Sequence, residues 1–202
     1  MNSIAFSSVF LSFLFSAPAD SFVCANDKDY YQQIVHQAHT NCKNRKPEKV
    51  DVSLLWKLVE VEKHHKVPKG LQGMLLAAAC SESGYNPNAL GDRKFSKKRK
   101  PKAVGILQLW PWWERGKYGY KVNRRDPIAS AHAWLTHITR QIPKVKRKCK
   151  FRAKKKVWIA AWVTAIRAPK AGGRCYEKPK HLRVLKKWKR AIKKQNCADR
   201  TT

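Results

Sequence analysis

Apolar positions recur along most of this chain at intervals of three and four, the spacing that collects them on one face of an α-helix. From Asp51 the residues Leu54, Leu55, Leu58 and Val59 mark such a face; Asp51 or Ser53 serves as N-cap, and the helix runs to about His65. Pro68 suits the first turn of a second helix, whose run from Leu71 through Met74 to Cys80 is apolar nearly all round. A helix with no polar face belongs at the centre of a domain, and Gly84 is placed to end it. Asp126-Pro127 reads as an N-cap followed by proline at the first helical position. Ile128, Ala131, Trp134, Leu135, Ile138 and Ile142 then mark a face predicted to pack on the central helix. A further helix covers roughly 154–167. A last one covers 179–194, where Leu182, Leu185, Trp188 and Ile192 form a stripe on an otherwise cationic surface.

No stretch alternates cleanly enough to predict a long strand, so the class is all-α: a helical domain with a central buried helix. Residues 84–125 break the helical pattern with Asn86-Pro87, a basic run from Lys94 to Lys102, and the aromatic cluster Trp110, Trp112 and Trp113. Irregular segments of that length commonly carry function, and this one is predicted to form a cleft.

Composition narrows the picture. The chain of 202 residues is 43% hydrophobic with eight tryptophans, enough for one real core, and no internal repeat or second domain is visible. Residues 4–19 are apolar or small and uncharged, too short to span a membrane but suited to a signal peptide, although the first residues lack a positive charge. Small-residue cleavage sites follow at Ala19 and at Ala25; the earlier cut keeps all six cysteines, an even set suited to an oxidising compartment. The expected organisation is a signal peptide over 1–19, an N-terminal helical extension over 20–50, the main domain over 51–197 and a tail over 198–202. Up to three disulfides are expected, with fifteen possible connectivities. A lipid anchor at Cys24 is disfavoured by the residues before it, and the absence of CxxC spacing argues against structural zinc. The 44 Lys and Arg against 13 Asp and Glu give a net charge of +31, which points to a negatively charged partner.

The residue with chemistry in it is Glu82, in the last turn of the central helix. The helix dipole puts negative partial charge there, and apolar neighbours desolvate an anion, so both effects are expected to raise its pKa. A carboxylic acid kept neutral near neutral pH is what proton delivery to a glycosidic oxygen requires. The plainer reading is a surface glutamate at a frayed helix end.

The residues around it favour the first reading. Glu82-Ser83-Gly84-Tyr85-Asn86-Pro87-Asn88-Ala89 resembles the ES-x-x-NP-x-A signature of the soluble lytic transglycosylase and goose-type lysozyme group. Val104-Gly105-Ile106-Leu107-Gln108-Leu109 resembles that group's G-L-M-Q-L segment, and Asp126-Pro127 with its long helix resembles the next element. The resemblance covers about residues 51–190 and implies a lysozyme-like domain acting on peptidoglycan. It implies Glu82 as the single catalytic acid and base and Gln108 as a lining residue of the glycan cleft, with Tyr85, Asn86 and Gly105 in the substrate-binding motifs. The implied reaction breaks the bond between N-acetylmuramic acid and N-acetylglucosamine without metal or cofactor. A lytic transglycosylase closes the muramic 6-hydroxyl onto C1 as a 1,6-anhydro sugar, whereas a lysozyme uses water.

The chain departs from the group in two places. Residues 91–102 form a longer, basic insertion where a short Ser- and Gly-containing turn is usual. Ala165-Ile166-Arg167-Ala168-Pro169 stands where A-Y-N-A-G is usual, with Tyr176 as a substitute for the missing tyrosine. Glycosidases that use two carboxylates hold them about 5–10 Å apart. Asp92 and Glu114 are the candidates for a second one, and Asp126 reads as a cap.

The remaining features have two readings each. Trp112 and Trp113 serve as stacking platforms for sugar rings or as core. His64-His65, beside Lys63 and Lys66, reads as solvated surface rather than a metal site, and Ser81 and Ser83 lack a nucleophile elbow. The basic run is a solvated face or an adhesive for the anionic cell wall. Non-enzymatic alternatives are a basic nucleic-acid-binding protein, for which no binding signature is present, and a membrane-active cationic protein using the last helix. The expectation is a monomeric, exported enzyme, periplasmic or secreted, with no nucleic-acid partner and no membrane anchor.

Overall fold

A computed structural model describes residues 27–93, 100–116, 119–166 and 175–198. The proposed leader, Cys24, most of the basic run (94–99) and the segment 167–169 lie outside these residues. Among the described residues the fold is mostly helical: α1 (Asp27–Thr40), α2 (Val52–His64), α3 (Met74–Ser83), α4 (Pro127–Cys149), α5 (Lys154–Ile166) and α6 (Leu182–Ala198). A two-stranded antiparallel sheet, β1 (Leu90–Gly91) with β2 (Ala103–Val104), interrupts the segment read as irregular.

Helix α3 is the centre of the domain, as its composition predicts: Met74 through Cys80 are all buried. Helices α1, α2 and α6 pack directly on it, while α4 lies against α2 and forms a hairpin with α5. The predicted face of α4 rests mainly on α5 and α2 rather than on the central helix. Ala131, Trp134, Leu135 and Ile138 are buried there, and Ile128 and Ile142 are partly so. The stripe on α6 also points inward, with Leu182, Leu185, Trp188 and Ile192 all buried. That stripe is core and is not free to lie on a membrane. No described helix is long and apolar enough to cross one.

The segment expected to be an N-terminal extension belongs to the core. Tyr31, Ile34, Val35 and Ala38 of α1 are buried in the same cluster as α3, and a Cys42–Cys80 disulfide fastens the chain after α1 to α3. A second disulfide, Cys149–Cys175, joins the end of α4 to the approach to α6. Disulfides of this kind persist in oxidising compartments.

Capping follows the sequence. Asp51 accepts the Ser53 N–H at 2.8 Å, and Asp126 accepts those of Ile128 and Ala129 at 2.9 Å each. The cap of α3 comes from elsewhere. Glu62 of α2, fully buried, accepts the Gly73 N–H at 2.7 Å and the Leu75 N–H at 2.6 Å, where a helix start has unpaired donors and favours negative charge. The other end of α3 closes on Gly84, whose φ of 60° places it in the left-handed region and directs its N–H back to the Ala79 and Cys80 carbonyls. A Cβ at Gly84 would meet the Asn44 carbonyl oxygen at 2.7 Å, so glycine is required twice over.

Candidate active site

Glu82 occupies the last turn of α3, and three things fix that turn. The disulfide at Cys80 anchors it from one side. Asn44, two residues past Cys42, donates its Nδ2 to the Cys80 and Ser81 carbonyls at 3.0 and 2.9 Å; the bond to Ser81 satisfies an acceptor that the helix end leaves open, and the bond to Cys80 adds to the one from Gly84. Ser83 Oγ donates to the Ile106 carbonyl at 2.9 Å, which ties the two sequence motifs into one unit.

The second motif is held by its own backbone. Gly105 N–H donates to the Ala89 carbonyl at 3.0 Å, and Val104 pairs with Leu109. Gln108, at φ 48°, turns its Nε2 onto the Gly105 and Ala89 carbonyls at 2.9 and 3.2 Å. Its amide therefore closes the turn that joins the motifs. Asn86 accepts the Asn88 N–H at 3.0 Å in an Asx turn. Gly105 has φ 83° and runs against the Arg124 carbonyl oxygen, leaving no room for a Cβ.

Around Glu82 the structure supplies two groups that the sequence reading missed. His181 Nε2 lies 2.6 Å from Glu82 Oε1, and Lys180 Nζ lies 3.0 Å from the same oxygen. Both residues directly precede α6, which packs on α3, so the contact is a product of tertiary packing and no local spacing announces it. The His181 side chain is 2% exposed and stacks on the Trp162 ring at 5.9 Å, while Glu82 keeps 22% of its side chain open and Lys180 68%.

The expected rise in the Glu82 pKa is corrected by these neighbours. Burial does push it up and is the largest single influence. The hydrogen bonds and charges of His181 and Lys180 together outweigh it and hold the carboxyl below its ordinary 4.5. Glu82 is an anion at neutral pH. An anion only accepts, so Nε2 of His181 carries the proton between them.

The other candidates separate into groups. Tyr85 is 2% exposed, with its hydroxyl buried and unbonded among the described residues, so its place is the core rather than a sugar-binding surface. Trp113 is buried as well, while Trp112 lies partly open and stacked on it at 4.4 Å, in a cluster with Tyr120 and His137. Of the two, Trp112 is the more open to solvent. Tyr176 is 86% exposed, edge-on to Phe151 beside the Cys149–Cys175 disulfide, and is not among the groups bonded to Glu82. Of the candidate second carboxylates, Asp92 accepts from Trp110 Nε1 at 2.9 Å. Glu114 pairs with Arg124 at 2.9 Å, which lowers its pKa. Neither bonds Glu82 or the groups holding it.

No protein-family model, curated protein or solved structure matches this chain.

Proposed function

We propose that the chain cleaves peptidoglycan glycan strands at the linkage between N-acetylmuramic acid and N-acetylglucosamine, with Glu82 as its acid and base. The observation that carries this reading is the Ser83-to-Ile106 hydrogen bond: the two motifs that resemble those of lytic transglycosylases meet in space, with a partly open, otherwise buried carboxylate at their junction.

Glu82 rests as an anion and must gain a proton before it can act as an acid. Docking of a glycan removes water from its open side and displaces the exposed ammonium of Lys180, and both changes raise its proton affinity. Glu82 then protonates the bridging oxygen; the C1–O bond breaks and positive charge develops on the muramic ring. The same carboxylate, now ionised, takes the proton of the 6-hydroxyl as that oxygen bonds to C1, giving a 1,6-anhydro sugar and restoring the acid. His181, bonded to Oε1, orients the carboxylate through both steps. Attack by water would instead give a reducing end, as in a goose-type lysozyme.

The net charge of +31 suits a wall rich in peptide carboxylates, which the protein, as an exported monomer in the periplasm or outside the cell, would hold through many weak, salt-sensitive contacts. The test is digestion of purified peptidoglycan. Release of soluble muropeptides by the native chain and not by Glu82→Gln supports the reading, and mass analysis of the ends separates anhydro from hydrolytic product. Equal release by both proteins, or none by either with retention on nucleic acid or anionic vesicles instead, overturns it.

A further inference from the structure

Three histidines outside the Glu82 site converge between two helices. His64 is the last residue of α2 and His65 its C-cap, while His132 projects from the second turn of α4, which packs on α2. Their ring centroids are 5.2–5.3 Å apart pairwise, and one ring nitrogen from each lies within 4.8 Å of the other two. The closest pair, His65 Nε2 and His132 Nδ1, is 3.2 Å apart. The sequence reading of His64-His65 as plain solvated surface describes His64 alone, because His65 and His132 are half-buried against each other.

We infer that His64, His65 and His132 form a binding site for a divalent transition-metal ion, zinc being the reference case. Two imidazole nitrogens bound to one zinc at about 2.0–2.1 Å in tetrahedral geometry stand about 3.3–3.4 Å apart, which the His65–His132 pair already matches. His64 needs only a side-chain adjustment, and its exposure leaves an entry path and a fourth position for water. Imidazole is the ligand type shared by zinc, copper and nickel sites, and an all-nitrogen set excludes a preference for calcium or magnesium.

In the 3.2 Å contact between His65 Nε2 and His132 Nδ1 one nitrogen donates and the other presents its lone pair, so a single tautomeric shift frees both for an ion. The proton now shared between Nε2 and Nδ1 moves to the outer nitrogen of its ring. The neighbouring cation Lys63 is engaged elsewhere, 2.7 Å from Glu60 and over the Tyr31 ring. A bound ion would pin the end of α2 to α4. The site shares no side chain with the surroundings of Glu82 and stands whether or not the chain cleaves peptidoglycan.

The test is calorimetric titration of the purified full chain, freed of metal, with Zn2+ near neutral pH, with thermal melting in parallel. The expected result is a single tight equivalent and a melting temperature that rises with added zinc. His64→Ala and His132→Ala are each expected to weaken binding about tenfold or more. Circular dichroism of the His64→Ala protein checks the fold, which the loss of an exposed side chain leaves intact. Absence of a tight equivalent in the native chain, or equal affinity in a folded His64→Ala protein, overturns the assignment.

Discussion

The Glu82 carboxylate and the His181 imidazole lie 2.6 Å apart across 99 residues of sequence, and this pair sets the resting charge of the site. Removing the imidazole removes the leading influence that lowers the Glu82 pKa and leaves burial, which raises it. In His181→Gln the carboxyl therefore keeps its proton to higher pH. If Glu82 delivers a proton to the glycan, the alkaline limb of kcat/KM for muropeptide release moves to higher pH in that variant. Lys180→Ala, at an exposed position, shifts it less in the same direction. An unmoved limb in both proteins would mean that another group controls the reaction.

The Cys42–Cys80 bridge bears on stability and site together, since Asn44 and Cys80 both hold the last turn of α3. Closing a loop across a separation of 38 residues restricts the unfolded chain by about 3.5–4 kcal/mol. Cys42→Ala with Cys80→Ala is expected to lower unfolding free energy by that order in urea titration. Asn44→Ala, which leaves the Ser81 carbonyl without its donor while that of Cys80 keeps the Gly84 N–H, should cost about 1–2 kcal/mol and, if Glu82 acts as proposed, reduce kcat more than it changes KM.

Much of the fold is written locally. Asp51 and Asp126 cap where their side chains allow, Gly84 ends α3, and the all-apolar stretch before it is the centre of the core. The two motifs around Glu82 and Gln108 were legible too, because order and spacing are properties of the chain. What could not be read depends on which distant elements meet. Glu62 looks like one more charge on α2, and only the arrival of α3 makes it a cap. His181 and Lys180 look like surface residues before a basic helix until α6 packs on α3. The Glu82 pKa runs opposite to its local expectation for the same reason: dipole and burial are local quantities, and the opposing groups come from 98 and 99 residues away in sequence. α1 looks like an extension in the sequence because its role depends on the faces of α2, α3 and α6 that it covers.

Glu62 gives stability a pH dependence of its own. Burial raises its pKa to about 7 against two backbone N–H donors and the charge of Lys189, which act to lower it. The folded value lies above the ordinary 4.5, so the native state binds the proton more tightly than the unfolded chain. The contribution is then fully present below pH 4.5 and is lost as pH rises towards 7. Glu62→Gln cannot titrate and presents an amide to the Gly73 or Leu75 N–H, which costs about 1–3 kcal/mol where that donor goes unpaired. The stability gap between native protein and variant should therefore be larger at about pH 5 than at about pH 8. Urea unfolding at both values measures it; a gap that widens on going to alkaline pH contradicts the assignment.

Gly105 tests the joint between the motifs from the backbone side. Its φ of 83° already disfavours a side chain, and a Cβ there would overlap the Arg124 carbonyl oxygen. Arg124 cannot easily retreat, because its guanidinium is bonded to the Lys102 and Leu109 carbonyls at 2.7 and 2.9 Å and paired with Glu114. Gly105→Ala therefore forces the 104–109 turn to move, and with it the Ile106 carbonyl that receives Ser83 and the Gly105 carbonyl that receives Gln108. Strain of this type costs about 1–3 kcal/mol before the collision is counted. The variant should melt at lower temperature and, if Glu82 acts as proposed, lose muropeptide release beyond what its folded fraction accounts for. Gly91→Ala strikes the same turn through the Gln108 side chain, which can swing away, so its effect should be the smaller of the two. Full release by a folded Gly105→Ala protein would mean that the turn tolerates movement and that the bond from Ser83 does not position Glu82.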